Sequence, residues 1–456
     1  MSQIKTTQQN KQTWRLPLFP SARLLWLVLG VSIVCTILSS VVFRSAVPWF
    51  ALLAVAVLLL IDLWLGLRLP TPTVKRDVAD NWSLAVATQV ALRIRHTPRR
   101  ANSRRALRVA VHDWHPERCI APHAQQNLTL TPNTDTQITY QATAHQRGLM
   151  TFVGVEFHID SPLRFWQVRR FVSSVSNVRI LPNFTRIAHY RLLATANRLS
   201  DLGVLKQPRR GSGLEFHQLR EFRQGDSLRQ IHWQATAAQR RLISKEYEDE
   251  RNQQILFMLD ASRRMIHKDS HESLLDEALN SALLLSHVAL NQGDAVGMLS
   301  MGQTTRWHSP KTGMTVVAQL MNQFYDIQPE PVAADYLAAA ETLLARQKKR
   351  SLIVVITNTR NEDFGDLYMA LRLLRKKHLV VLADIREKLL KTLVNQPIDT
   401  IDTAVHFHAA HQYLEHRWKQ HSQLRHHGIL VLDVEADQLP PALISQYLQL
   451  KESAQI

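Results

Sequence analysis

The chain has 456 residues, of which 45% are apolar and 20% are charged, so it can bury a sizeable core and is not a disordered or low-complexity chain. Lysine and arginine outnumber aspartate and glutamate by 55 to 38, which gives a formal net charge of +17 and predicts polyanionic partners or anionic surfaces. Two cysteines, Cys35 and Cys119, are too few for a disulfide framework or a structural zinc site.

Two nearly uncharged apolar stretches, residues 24–42 and 47–67, lie near the start of the chain. Their lengths of 19 and 21 residues are enough to cross ~30 Å of hydrocarbon as helices. The short connection between them predicts a transmembrane hairpin, with residues 1–23 as a cytoplasmic tail. Basic residues flank its outer ends, which predicts a multi-pass protein of the cell inner (cytoplasmic) membrane with both termini in the cytoplasm. Asp62 lies inside the second stretch, and we expect it to snorkel to the interface near Arg68.

Two further patterns follow the hairpin. Apolar and polar residues alternate in short stretches, as at Val90, Leu92 and Ile94, which predicts an antiparallel β-sandwich over residues 75–182. Over residues 254–456, apolar strands alternate with helical stretches, and this alternation predicts a mainly parallel sheet covered by helices on both faces. The sequence therefore predicts a multidomain chain: an N-terminal two-helix transmembrane hairpin, an antiparallel β-sandwich, and an α/β Rossmann-like domain.

Seven arginines crowd 16 residues of the predicted sandwich, and this run contains no acidic residue. Because the run follows soon after the predicted membrane boundary, we expect it either to contact anionic lipid headgroups or to form a solvated hairpin loop. Nucleic-acid binding is less favoured, since no aromatic side chain is interleaved with the arginines to stack on bases. The arginines are Arg93, Arg95, Arg99, Arg100, Arg104, Arg105 and Arg108.

The segment over residues 183–253 links the two predicted domains and carries the motif G-x-E-F-x-x-x-R-x-F-x-x-G-D-x-x-R-x-I-H-W. This motif closely resembles the signature of the bacterial "domain of unknown function 58" family. Members of that family typically carry a two-span hairpin, a β-domain and a von Willebrand factor type A domain, so the resemblance implies this architecture for nearly the whole chain. Arg147-Gly148 and Ser161-Pro162-Leu163 also resemble landmarks of the family, although Ser161 stands where an Asp is usual. The signature residues are Gly213, Glu215, Phe216, Arg220, Phe222, Gly225, Asp226, Arg229, Ile231, His232 and Trp233.

The signature brings opposite charges close together along the chain. We expect Glu215, Arg220, Asp226 and Arg229 to form a buried or half-buried ion-pair cluster with Trp233, which docks the segment on the α/β domain. A partner-binding surface is the main alternative, and a catalytic acid or base is a further one. Nothing in the motif pairs a nucleophile with a base.

The resemblance also implies a metal loop, D-x-S-x-S, at the end of the first strand of the type A-like domain. Here Asp260 and Ser262 match, but Arg264 occupies the second serine position. A divalent ion about 4 Å from a guanidinium would be repelled by roughly 8 kcal/mol at an effective dielectric of ~20. Asn358 also replaces an acid of the family, so we expect no metal cofactor, with Mg²⁺ as the disfavoured alternative. We expect Arg264 or Arg263 to fold back onto Asp260 in place of the ion.

These observations predict a membrane-anchored, non-enzymatic adaptor or assembly factor that binds protein partners at the carboxyl edge of its type A-like sheet. The resemblance implies a MoxR-type AAA+ ATPase and a transglutaminase-like membrane protein as partners. One alternative is a metal-assisted hydrolase that uses Asp260 with Asp226 or Glu215, and another is a basic module that holds nucleic acid at the membrane. The sequence contains no P-loop, dinucleotide-binding, zinc-protease or α/β-hydrolase motif, which disfavours those enzyme classes.

Overall fold

The computed structural model describes residues 18–41, 47–98, 106–183, 215–223, 231–248, 253–269, 272–302 and 304–453. The chain divides into two compact units, one formed by residues 1–82 and 86–180 and the other by residues 83–85 and 181–456. The first unit contains two helices and a β-sandwich, and the second contains the signature segment and an α/β sheet.

Strand β1 (Leu18–Pro20) precedes two apolar helices, α1 (Ala22–Val41) and α2 (Val47–Leu67). The continuous stretches of these helices whose side chains are described cover residues 22–36 and 52–67, and many of the large apolar side chains there are exposed.

A search of the described residues finds no helix that is long and apolar enough to cross a membrane. This finding contradicts the predicted transmembrane hairpin over residues 24–67. It equally contradicts the predicted inner-membrane location with both termini in the cytoplasm.

Nine strands follow α2 in the first unit. One sheet has the order β1-β10-β9-β5-β7 with β3 against β10, and the other has the order β2-β4-β8-β6. Side chains alternate between core and solvent along most of the sandwich strands; on β4, Val90, Leu92 and Ile94 are buried while Arg93 and Arg95 are exposed. The strands are β2 (Thr73–Asp77), β3 (Asn81–Ser83), β4 (Ala87–Arg95), β5 (Leu107–Trp114), β6 (Cys119–Ile120), β7 (Gln125–Leu130), β8 (Asp135–Ala144), β9 (Gly148–Asp160) and β10 (Trp166–Leu181).

A buried ion pair joins the two sheets of the sandwich. Arg76 on β2 donates from Nε to Asp113 Oδ2 on β5 at 3.1 Å. The Tyr140 hydroxyl on β8 donates to the same oxygen at 2.6 Å. Because both charged side chains are fully buried, removal of either one would leave the other charge uncompensated in the core.

The described part of the second unit begins with a pair of antiparallel strands within residues 215–248, called the signature hairpin below. It continues as alternating strands and helices. Its elements are β11 (Glu215–Glu221), α3 (Trp233–Gln239), β12 (Ile243–Glu248), β13 (Gln254–Asp260), α4 (Leu274–Asn291), β14 (Ala295–Met301), β15 (Arg306–Lys311), α5 (Thr315–Phe324), α6 (Tyr336–Arg346), β16 (Leu352–Thr357), α7 (Phe364–Arg375), β17 (Leu379–Arg386), α8 (Lys388–Asn395), α9 (Ile401–His426), β18 (Leu430–Glu435) and α10 (Leu439–Glu452). β11 and β12 form an antiparallel pair of their own.

The main sheet of this unit has the order β15-β14-β13-β16-β17-β18, parallel except for the edge strand β15. α4, α5 and α10 pack on one face of the sheet, and α6, α7 and α9 pack on the other. Strands covered on both faces are apolar throughout, and every residue of β16 is accordingly buried. The chain leaves β13 toward one face and β16 toward the other, so the carboxyl ends of these neighbours flank a topological switch point.

Candidate functional site

Asp260 ends β13 at the switch point, and its fully buried carboxylate is occupied by donors from the chain itself. The Ser262 backbone N–H donates to Oδ1 at 2.8 Å. The Thr357 and Tyr336 hydroxyls donate to Oδ2 at 2.6 and 3.0 Å. Burial and the nearby Asp260 charge raise the pKa of Tyr336 well above its ordinary value, so the phenol stays protonated and donates.

Neither arginine of the loop after β13 pairs with Asp260, so the prediction that one folds back onto it is wrong. Arg264 is buried and donates from Nε to Asp363, in the 3-10 turn that follows β16. Arg263 is half-exposed and donates from Nη2 to Glu362 Oε2 of the same turn at 3.3 Å. The two hydroxyl groups that donate to Asp260 are neutral, so hydrogen bonds stabilise its carboxylate without a guanidinium contact.

Asn358 and Ser262 lie beside Asp260 but make few side-chain contacts there. Asn358 Nδ2 donates to the Ile385 carbonyl oxygen at 3.1 Å and to Glu387 Oε1 at 3.0 Å, so its amide is turned toward β17. Within the described part of the chain, Asn358 Oδ1 and Ser262 Oγ are buried and have no hydrogen-bond partner. Of the residues of the expected degenerate metal loop, Ser262 contacts Asp260 through its backbone N–H, whereas Arg264 and Asn358 bind other residues.

A second polar cluster lies at the carboxyl end of β17, where Asp384 is fully buried. Arg417 Nη2 lies 2.8 Å from its Oδ1, and His421 Nε2 lies 2.7 Å from its Oδ2; both residues come from α9. The Thr359 backbone N–H donates to Oδ1 at 2.8 Å. Burial alone would raise the pKa of Asp384, but Arg417, His421 and Thr359 outweigh it and hold that pKa below its ordinary value.

No motif in the sequence predicted this cluster. The available signal was the spacing of Arg417, His421 and Leu424, which places all three on one face of a helix. These three side chains are buried, whereas most of the helix is exposed. An apolar residue on the same face as the arginine and the histidine indicates that this face packs inward.

The signature segment is described only in part. Gly213, Gly225, Asp226 and Arg229 lie outside the described residues, as do the side chains of Glu215 and Phe216. Arg220 is half-buried and donates from Nη1 to the Glu221 carbonyl oxygen at 3.0 Å. Trp233 is 67% exposed, so it does not belong to the buried cluster that the motif predicted.

Trp233 is nevertheless placed by ordered backbone contacts. Ile231 forms a bridge with Ser244 of β12, and the His232 N–H donates to the Ile243 carbonyl oxygen at 2.8 Å. His232 Nδ1 also accepts from the Ala235 N–H at 3.0 Å and so caps α3, which begins at Trp233. The exposed indole therefore projects from a fixed turn.

The arginine run does not form one face in the described part of the chain. Arg93 and Arg95 lie on β4 of one sheet and pair with Asp77 and Asp135, whereas Arg108 is exposed on β5 of the other sheet. The other four, Arg99, Arg100, Arg104 and Arg105, lie outside the described residues. Contact with anionic lipid stays a prediction.

Among the described residues, no group of three or more His, Cys, Asp and Glu side chains is arranged to hold a metal ion. A small cleft of about 70 Å³ lies at the carboxyl edge, lined by residues that include Asp269, Glu272, Glu277, Lys388 and Asp437. Lys388 Nζ lies 3.0 Å from Asp437 Oδ2, so part of the negative charge in this cleft is already neutralised. The expectation that the chain has no metal cofactor stays a prediction.

Residues 218–419 match the family described as "Protein of unknown function DUF58". The resemblance to that family is confirmed. The matched DUF58 region covers less than half of the chain, and it includes most of the signature hairpin and the main sheet through α9. No curated protein matches the chain.

Solved structures offer only distant likenesses. An aerotolerance-related membrane protein from Bacteroides fragilis is 20% identical with a TM-score of 0.22, covering 29% of this chain and 67% of that one. The CARDB domain of a Pyrococcus furiosus protein, solved with di-metal ions, is 11% identical with a TM-score of 0.16, covering 25% and 94%. Proximal thread matrix protein 1 from the mussel byssus is 9% identical with a TM-score of 0.26, covering 44% of each chain. At such scores these likenesses carry no argument about function.

Proposed function

We propose that the chain is a non-enzymatic adaptor or assembly factor whose second unit binds a protein partner at the carboxyl edge of the parallel sheet. The observation that carries this proposal is the state of Asp260. Its carboxylate is fully buried and accepts hydrogen bonds from Ser262, Tyr336 and Thr357. A carboxylate that already accepts three hydrogen bonds from fixed donors is poorly placed to bind a metal or to transfer protons, whereas it holds the surrounding loops in one conformation.

The loops fixed in this way present charged side chains to solvent. Arg263 follows β13, Arg360 and Glu362 follow β16, and all three are substantially exposed. Ligands of open α/β sheets collect outside the carboxyl ends of the strands at a switch point. Arginine is also enriched at protein interfaces. This edge is therefore the surface of the second unit best suited to a partner.

A MoxR-type AAA+ ATPase is the partner that the family resemblance favours, with a transglutaminase-like membrane protein as a second member of the assembly. The exposed indole of Trp233 supports a further contact in the signature segment. A solvent-exposed tryptophan on an ordered turn can bury a large area on binding at small conformational cost. The competing hydrolase function has weaker support, since it would require Asp260 to be free for a ligand.

The test is an affinity pull-down of the tagged full chain, with the captured proteins identified by mass spectrometry. The variant Arg263→Glu/Arg360→Glu reverses two charges at the carboxyl edge, and Lys419→Glu on α9 is the control for an exposed base elsewhere in the same unit. Trp233→Ala is a separate arm that tests the signature segment. Circular dichroism of each purified variant establishes that it is folded.

We expect a AAA+ ATPase to co-purify with the wild type and with Lys419→Glu, and to be lost with Arg263→Glu/Arg360→Glu. Loss with Trp233→Ala as well would add the signature segment to the interface. The proposal fails if no AAA+ ATPase co-purifies with the wild type. It also fails if equal amounts co-purify with the wild type and the charge-reversal variant.

A further inference from the structure

Two guanidinium groups converge on a single carboxylate oxygen at the carboxyl edge. Glu362 Oε2 lies 3.3 Å from Nη2 of Arg263 and 3.3 Å from Nη2 of Arg264. The arginines are consecutive in the turn after β13, whereas Glu362 comes from the turn after β16. The contact therefore joins the two turns that follow the strands flanking the switch point.

The three side chains differ sharply in how firmly they are held. Arg264 is only 3% exposed and is also anchored by Asp363, so its guanidinium is fixed in place. Arg263 is 51% exposed and Glu362 is 72% exposed. An exposed ion pair of this kind contributes only about 0–1 kcal/mol, because water and salt screen it and two long side chains lose freedom. Glu362 can therefore leave at small cost, while Asp363 keeps Arg264 in position.

We propose that Glu362 occupies, in the free protein, the position taken by an acidic side chain of the partner. An aspartate or glutamate of the partner displaces Glu362 and accepts hydrogen bonds from Arg263 and Arg264. Planar guanidinium groups match a carboxylate in geometry and charge, so the contact requires no metal ion. This inference rests on the proposed function, because it specifies the chemistry of a partner at the same edge.

The charge of the chain agrees with an acidic partner. The formal net charge is +17, which attracts an acidic segment over distances of about one Debye length, ~8 Å at physiological salt. Long-range attraction alone does not select a site, since every exposed base contributes to it. The anchored Arg264 and its exposed neighbour Arg263 supply the local recognition, and the displacement of Glu362 makes it measurable.

The experiment measures binding of a fluorescein-labelled oligo-glutamate peptide to the full chain by fluorescence anisotropy, with oligo-glutamine as the uncharged control. Glu362→Gln removes the internal competitor, so we expect affinity to rise about two- to fivefold, the equivalent of one exposed ion pair. Arg263→Gln removes one of the two donors, and we expect a fall of similar size or larger.

The signature hairpin offers a matched pair of controls. Arg241 and Glu221 form an exposed ion pair there, with side chains 60% and 62% exposed. Arg241→Gln and Glu221→Gln change the net charge by the same amounts as Arg263→Gln and Glu362→Gln. We expect both controls to leave peptide affinity within experimental error of the wild type.

The inference is overturned if Glu362→Gln and Glu221→Gln raise affinity equally, because net charge alone would then explain the gain. It is also overturned if Arg263→Gln binds the peptide as well as the wild type does. The proposed function is tested separately by the pull-down. If an ATPase co-purifies with the wild type and is lost with Arg263→Glu/Arg360→Glu, the proposed function stands even when the peptide assay overturns this inference.

Discussion

Ser161 donates its hydroxyl proton to the carboxylate of Asp62, with Oγ and Oδ2 2.5 Å apart and both side chains buried. The backbone N–H groups of Leu163 and Phe165 donate to the same carboxylate at 2.8 and 3.2 Å. Ser161 Oγ in turn accepts from the Trp166 N–H at 3.0 Å. The last turns of α2 are thereby bound to the loop between β9 and β10.

Gly66 lies one helical turn beyond Asp62 and faces the same loop. A Cβ at Gly66 would come within 3.2 Å of the Ser161 Cβ, so the helix and the loop approach too closely for a larger residue to fit without displacement. A hydroxyl at position 161 suits this site better than a carboxylate would. A second carboxylate beside Asp62 would be repelled, whereas a hydroxyl donates to it.

We expect Asp62→Ala to lower the free energy of unfolding of the first unit by about 2–4 kcal/mol, because Ser161 and two backbone N–H groups lose a charged acceptor in a buried site. Urea denaturation followed by tryptophan fluorescence would measure the change. Asp135→Ala is the control, since Asp135 is exposed and its contact with Arg95 is 3.8 Å long. The predicted role of Asp62 is incorrect if the two substitutions shift the urea midpoint equally.

Local patterns in the sequence placed many elements correctly, because alternation and apolar runs depend on neighbouring residues. Val90, Leu92 and Ile94 lie buried on one strand, and the first strand of the α/β domain ends at Asp260, where the metal loop was expected to follow. The contacts of the candidate site depend instead on residues far apart along the chain. Asp260 and Thr357 are 97 residues apart, a separation that no local pattern encodes.

Arg264 illustrates the same limit at the carboxyl edge. Arg264 occupies the second serine position of the expected metal loop. Its positive charge led us to predict a contact with Asp260. The observed partner, Asp363, comes from a turn 99 residues further on, which reaches Arg264 only because β16 lies beside β13. The order of the strands therefore decides which carboxylate meets the guanidinium.

We expect the second unit to lose stability in acid through Asp384. Its folded-state pKa lies below the ordinary value near 4, so its contribution to stability is present above that value and is lost as the pH falls through the lower folded pKa. Urea midpoints measured from about pH 5 to about pH 3 should therefore decrease for the wild type. Asp384→Asn should be less stable near neutral pH and should show a shallower decrease.

Asp402→Asn is the control for this acid titration, because Asp402 is exposed at the start of α9. It should keep the pH dependence of the wild type. If Asp384→Asn loses stability as steeply as the wild type over the same range, other carboxylates cause the acid sensitivity and the role assigned to the Asp384 cluster is incorrect.

Cys119 should resist alkylation until the first unit unfolds. Burial raises the pKa of its thiol to about 11 from an ordinary value of 9.0, which lowers the reactive thiolate fraction at mildly alkaline pH by about 100-fold. Iodoacetamide labelling followed by mass spectrometry, with Cys35→Ala to isolate Cys119, measures the rate with and without urea. Labelling of native Cys119 at the rate of a free thiol would contradict the observed burial.

We expect no Mg²⁺ or Mn²⁺ binding in the micromolar range, because Asp260 already accepts hydrogen bonds from Ser262, Tyr336 and Thr357, and because Arg264 lies in the same loop. Isothermal titration of the full chain with each metal would test this expectation. Arg264→Ser restores the family's second serine and removes a cation, so it is the variant in which weak metal binding should emerge. Micromolar binding to the wild type that disappears in Asp260→Ala would contradict this expectation. It would mean that the Asp260 carboxylate exchanges its internal hydrogen-bond donors for a metal ion.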